Sequence, residues 1–131
     1  MRAFQLLEAE YKRNPDEARV ASQLAQLYDR MGREAQACEM YERIVKANPS
    51  GVAPLINLGT CRAKQGRLPE AMKLWAAALE RSPGEEGARM NLAVAQVQSR
   101  ELDAARRTLA DALRFNPGSR RARELLAKLA P

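Results

Sequence analysis

Apolar residues recur along this chain at helical spacing, in stretches several turns long, and short polar marks break the stretches apart. Four of the marks carry a proline: Asn14-Pro15-Asp16, Asn48-Pro49-Ser50, Ser82-Pro83-Gly84 and Asn116-Pro117-Gly118. The four prolines follow one another at intervals of 34 residues. The pattern predicts eight helices, roughly 3–14, 17–30, 34–47, 52–65, 69–81, 86–98, 102–115 and 119–130. Asp16, Ser50 and Ser119 have the chemistry of N-caps, and Pro54 and Pro69 fall in first turns, where a missing N–H costs nothing. A fixed period of this length means one helical unit copied end to end.

Aligning the period with itself gives three complete units, 18–51, 52–85 and 86–119. The seventh position of each reads Leu24, Leu58, Leu92, and the next reads Ala25, Gly59, Ala93. A later small position reads Ala37, Ala71, Ala105, followed four residues on by Tyr41, Trp75, Leu109. Two antiparallel helices approach closely only where small side chains meet, while large ones fill the flanks. The small positions are therefore assigned to the crossing and the large ones to the space beside it.

This set of positions resembles the tetratricopeptide repeat family. The period, the Leu-Gly/Ala pair, the late Ala, the aromatic after it and the terminal Pro all match, and Tyr28 fills the family's first-helix aromatic slot. Units two and three depart there, with Arg62 and Gln96. The turn between the helices carries Gly32 and Gly66 but then Arg100. If that turn needs a left-handed residue, Arg costs about 1 kcal/mol relative to Gly. The resemblance implies an all-α, right-handed solenoid of antiparallel helix pairs. Residues 1–17 form an N-terminal half-repeat, with Ala3 in the late-Ala slot, and 120–131 form a capping helix, with Leu126-Ala127 in the Leu-Gly/Ala slots.

The first helix has no partner on its outer side. Its apolar residues Phe4, Leu6, Leu7 and Tyr11 cannot all face the next helix, so apolar surface is left over. Two readings stay open. The chain is cut from a longer array, with Met1 an added start residue, or it begins here and a second chain covers the surface. At the other end the arginine-rich flank of Ser119-Arg120-Arg121-Ala122-Arg123-Glu124 suits a polar cap.

Composition adds limits. The chain has 131 residues, with 22 basic and 16 acidic side chains. Residues 1–51 carry 8 basic and 8 acidic groups, whereas 86–131 carry 9 and 5, so the surplus lies toward the C-terminus. No histidine is present, which removes the commonest general base and metal ligand. Acid pairs such as Glu8 with Glu10 and Asp16 with Glu17 fall on solvated surface, and no Gly-rich phosphate loop is found. The chain reads as a non-enzyme without a cofactor. Cys38 and Cys61 occupy small apolar helical positions and read as core thiols rather than a disulfide. No apolar run is long enough to span a bilayer, and Glu8 and Glu10 interrupt any signal-peptide core. Compartment stays open: cytoplasmic by default, exported if the chain is a fragment.

In such arrays, the resemblance implies, the first helix of each pair lines a concave groove. The positions carried over are Gln23, Gln26 and Arg30 from unit one, Asn57, Thr60 and Lys64 from unit two, and Met90, Asn91 and Val94 from unit three. Gln23, Asn57 and Asn91 share one position and would form a ladder of amides, each offering donor and acceptor to the main chain of an extended peptide. Ile56, Met90, Val94 and Val97 would supply an apolar floor, unless the final helix covers them. Arg30 and Lys64 sit at the rim. Chaperone-binding members grip a C-terminal carboxylate with Lys, Asn and Arg; here only Asn57 matches, and the other sites hold Ser22, Gly87 and Asn91. A chaperone-tail clamp is therefore not expected. The expected function is a scaffold whose groove binds an extended peptide or helix of a partner protein. Two alternatives are carried. One is polyanion or nucleic-acid binding through Arg106, Arg107, Arg114, Arg120, Arg121 and Arg123, although only Phe115 is near for base stacking. The other is self-association through the apolar first helix.

Overall fold

A computed structural model describes residues 2–130 and contains, among them, eight helices and no strand. They are α1 (Arg2–Arg13), α2 (Ala18–Arg30), α3 (Glu34–Ala47), α4 (Val52–Lys64), α5 (Leu68–Arg81), α6 (Glu86–Gln98), α7 (Leu102–Phe115) and α8 (Arg120–Lys128). The reading of Met1 as an added residue lies outside the described residues. Each helix packs on its neighbours in sequence, so α2 with α3, α4 with α5 and α6 with α7 form pairs that stack into a solenoid. The architecture is the one the periodicity predicts.

Two turn types alternate, and both follow from local chemistry. At the last three proline marks the residue before proline leaves the helical region: Asn48, Ser82 and Asn116 have φ of −141°, −141° and −139°. A β-turn follows with proline at its second position, closed by Glu17 N–H to Asn14 O at 3.2 Å, Gly51 to Asn48 at 3.2 Å, Glu85 to Ser82 at 3.2 Å and Ser119 to Asn116 at 3.0 Å. Within each pair the first helix ends in a Schellman motif. Arg33 N–H donates to Tyr28 O, Arg67 to Arg62 and Glu101 to Gln96, each at 2.8 Å. That motif needs a left-handed residue, supplied by Gly32 (φ 77°), Gly66 (φ 78°) and Arg100 (φ 62°). The third turn keeps the geometry without the glycine.

The caps are less regular. Ser119 caps α8, its hydroxyl accepting from Ala122 N–H at 3.3 Å. Asp16 and Ser50 do not cap: Glu17 and Gly51 hold the N-cap positions of α2 and α4, and neither makes a side-chain cap bond. The proline turn already places these residues one step before the helix. Pro69 lies in the first turn of α5, as expected.

Small positions meet large ones inside each pair. A methyl group added to Gly59 would lie 2.5 Å from Trp75 Nε1, so the indole rests directly on the glycine backbone. The indole N–H donates to Ile56 O at 3.2 Å. The smaller Tyr41 and Leu109 share their clusters with Ala25 and Ala93, and the small late positions Ala37, Ala71 and Ala105 are fully buried. The largest of the three side chains, Trp75, thus meets the smallest partner, Gly59.

The cysteines correct the sequence reading. Cys38 on α3 and Cys61 on α4 are joined by a disulfide, with Cα atoms 5.6 Å apart. The spacing of 23 residues gives no hint of this. The stacking of α4 on α3, from the next pair, brings the two positions together.

Two stability changes follow. Gly59→Ala drives a methyl into the Trp75 ring and should destabilise by about 1–3 kcal/mol in urea unfolding. Arg100→Gly removes the left-handed strain and should stabilise by about 1 kcal/mol in the same assay.

Candidate interaction groove

The first helices α2, α4 and α6 carry the predicted site residues. Gln23, Gln26 and Arg30 on α2 are exposed, as are Lys64 and Val94; Asn57, Thr60 and Asn91 are half-buried. An open cleft of about 410 Å³ lies where α4 faces α6. Thr60 and Lys64 from α4, Asn91, Val94 and Gln98 from α6, and Arg121 from α8 line it, over a floor that includes Ala63, Leu68, Trp75 and Ala95. Four predicted residues are therefore brought together: Thr60, Lys64, Asn91 and Val94. Gln23, Gln26, Arg30 and Asn57 do not line this cleft.

Met90 corrects the reading. It is 2% exposed and packs with Ala93, Leu109, Ala112 and Ala122, so α8 covers it. One residue along a helix turns the side chain by about 100°, which separates Met90 in the core from Asn91 in the cleft. Ile56 and Val97 are half-buried and absent from the cleft lining. The apolar floor comes instead from Val94 with Ala63, Leu68, Ala95 and the edge of Trp75.

The polar groups differ in what they have left to offer. Thr60 Oγ1 donates to Ile56 O at 3.1 Å, which leaves the hydroxyl as an acceptor. Gln23 Oε1 accepts from Arg19 at 3.3 Å. Neither Asn57 nor Asn91 makes a side-chain hydrogen bond among the described residues, so their amides keep both functions. Lys64 Nζ has one loose partner, Glu34, at 4.0 Å. Arg121 makes no ion pair among the described residues. The cleft lining thus holds two cations and no carboxylate.

The slot where the family pattern lapses has its own logic. Tyr28 OH donates to Glu8 at 3.5 Å, from the helix before. Thirty-four residues on, Arg62 makes the equivalent contact with Glu42 at 3.0 Å and reaches Glu70 at 3.3 Å, its side chain 13% exposed. The interval between Glu8 and Glu42 was the readable signal. Hydrogen bonding from Arg62 holds the Glu42 carboxyl below its usual range. In the third unit Gln96 takes this slot and accepts from Thr108 at 2.7 Å. Tyr41, pushed up to about 12 by burial and then by Asp29, donates to Asp29 at 3.4 Å. Sequence reasoning also missed Arg89 and the bracing role of Arg123, again one period apart. They donate to Pro83 O at 2.6 Å and Pro117 O at 2.7 Å and brace two proline turns.

Both alternative surfaces are smaller than the sequence suggests. Of the arginines at the basic end, Arg106 donates to Leu129 O at 3.1 and 2.9 Å, Arg114 pairs with Asp111 at 3.5 Å, and Arg123 holds Pro117. Phe115, exposed, lies under the Arg89 guanidinium at 4.8 Å. On α1, Phe4 is buried edge-on against Tyr28 at 5.4 Å, and Leu7 and Tyr11 are half-buried; Leu6 alone of the four is exposed. No helix among the described residues is long and apolar enough to cross a membrane, and no group of three metal-ligating side chains gathers among them.

The Arg62–Glu42 contact gives a pH dependence. A carboxyl whose folded pKa is depressed stabilises fully above its unfolded value and loses that stabilisation as pH falls through the folded one. Glu42→Gln should therefore lower stability near neutral pH, and the deficit should shrink as the medium is taken below about pH 4. Thermal unfolding of both proteins across that range measures it.

Comparison with known proteins agrees with this geometry. Two sequence profiles of the tetratricopeptide repeat match, one over residues 62–129 and one over 22–86. No curated protein matches the chain by sequence. Among solved structures, a crystal structure of MamA superposes with a TM-score of 0.90 at 17% identity, covering 97% of this chain and 74% of that one. A tetratricopeptide repeat protein from Parabacteroides merdae gives 0.90 at 20% identity, covering 97% and 51%. The first such domain of Spaghetti (RPAP3), bound to the HSP90 peptide SRMEEVD, gives 0.78 at 18% identity, covering 86% and 90%. At these identities the likeness is one of fold.

Proposed function

Because the chain belongs to the tetratricopeptide repeat family, whose fold generally mediates protein–protein interaction, we propose that it is a scaffold holding an extended segment of a partner protein along its first helices. We place the repeat boundaries at 18–51, 52–85 and 86–119, between a half-repeat and a capping helix. The observation that carries the reading is the open cleft between α4 and α6, with the amide of Asn91 at its edge and an apolar floor beneath. A primary amide can pair with a peptide main chain without reading side chains, and the apolar floor takes up a side chain. Asn57, one unit earlier in the same register, extends the amide row. The Spaghetti domain, which holds a peptide, shows that the fold serves such a use in another protein.

Proteins of this repeat family are typically non-enzymatic scaffolds, and binding is the role we propose. Of the surface acid pairs, Glu8 accepts from Tyr28, and Glu17 pairs with Arg19 at 3.1 Å. Glu8 lines a cleft with Tyr11, Tyr28, Glu39 and Arg43, and Asp16 lines another with Tyr11 and Arg43.

A peptide array probed with wild type and with the Asn57→Ala, Asn91→Ala double variant tests the reading. Loss of main-chain pairing should weaken bound peptides by about thirtyfold, at about 1 kcal/mol for one hydrogen bond from each of the two amides. Unchanged binding by the double variant would sink the groove assignment.

A further inference from the structure

We infer that copies of this chain join end to end, α8 of one packing against α1 of the next to complete a helix pair that neither copy holds alone. Among the described residues, α1 packs on α2 and α8 on α7, while each helix between them packs on a neighbour to either side. In the register of the repeat, α1 is a second helix: Ala3 and Leu7 hold the places of Ala37 and Tyr41. By the same register α8 is a first helix: Leu126 and Ala127 hold the places of Leu92 and Ala93. The two are complementary halves of one unit.

Burial shows that both halves stand open. In the complete pairs the crossing is sealed: Ala37, Ala71 and Ala105 are fully buried, and so are Ala25 and Ala93. Ala3 and Ala127, in the same two positions, are exposed. Leu6 is 61% exposed, whereas its counterparts Met40 and Thr108 are buried and Leu74 is half-buried. The stripe left on α1 therefore has the shape that a first helix of this repeat covers. α8 carries the small residue that lets a second helix approach closely.

Charge selects α8 as the occupant. The stripe of Ala3, Leu6 and Leu7 ends in Glu10, where the complete pairs have the buried Ile44, Ala78 and Ala112. Glu10 makes no ion pair among the described residues. In the α6–α7 pair, Ala112 and Arg89 line one small cavity, and Arg89 reaches across to Asp111 at 3.8 Å. Arg123 is the counterpart of Arg89 on α8 and holds Pro117 O as Arg89 holds Pro83 O. Among the described residues it has no carboxylate to reach across to. Seated on α8, α1 brings Glu10 to the place of Ala112, beside Arg123, and a carboxylate in a core position gains a cation. A symmetric contact of α1 with α1 would instead put Glu10 of both copies into one apolar interface. Because the two surfaces differ, the contact is head-to-tail, and copies add without closing a two-fold dimer.

Sedimentation equilibrium of the 131-residue chain over a concentration series tests this, with circular dichroism to show that each variant is folded. The average mass of wild type should climb past that of a dimer as concentration rises. Ala3→Asp and Ala127→Asp each put a charge at an exposed position that the pairing buries, so each variant alone should stay a monomer. Mixed, the two should form a one-to-one pair and stop, because each keeps the end that the other has lost. Glu10→Arg should weaken association at least about tenfold, and adding Arg123→Glu should restore it. A wild type that stays a monomer up to about 1 mM would overturn the inference. So would a mass that levels off at the dimer, association that survives Ala127→Asp, or a mixture of the two variants that remains monomeric.

Discussion

The contact of a large side chain with a small one at each helix crossing carries this structure. Within a pair, the second helix sends Tyr41, Trp75 or Leu109 across, and the first helix receives it beside Ala25, Gly59 or Ala93. The widest ring meets the residue with no side chain. That matching fixes how close the helices come and hence where each pair sits on the next. A hydrogen bond across the second crossing adds to this, from the Trp75 indole N–H on α5 to Ile56 O on α4.

The period is strict in its turns and permissive in its joints between pairs. The proline turns and Schellman motifs recur with hydrogen bonds of nearly constant length, and even Arg100 accepts a left-handed backbone to keep them. The first-helix slot facing the previous pair tolerates Tyr28, Arg62 and Gln96, because each finds a polar partner in its own neighbourhood. The Arg62 bridge to Glu42 and Glu70 ties α3, α4 and α5 together, and the Cys38–Cys61 link joins the first two of these a second time. The joint between the first and second pairs is thus reinforced twice, which supports the α4 side of the cleft.

The groove follows from this frame. The stacked first helices present one stripe each, and the spacing set by the crossings opens a cleft between the second and third. α8 decides its final shape: it buries Met90, removing that side chain from the floor, and contributes Arg121 to the wall. Burial of an apolar residue and presentation of a charged one are two consequences of the same packed helix.

By itself the sequence determined the helices, their turns, the repeat and the pairing of small with large positions, because all of these are local or recur at one interval. It also marked Thr60 and Lys64 on α4 and Asn91 and Val94 on α6, through the family resemblance that its repeat positions carry. Tertiary structure decided the rest. Whether Met90 faces the cleft or the core depends on a helix about thirty residues away in sequence. Whether Cys38 and Cys61 meet depends on the angle at which one pair stacks on the next. Which arginines remain free depends on the carbonyls and carboxylates that the finished fold places beside them. Periodicity fixes which side of its own helix a residue occupies; only the packed solenoid fixes what stands opposite.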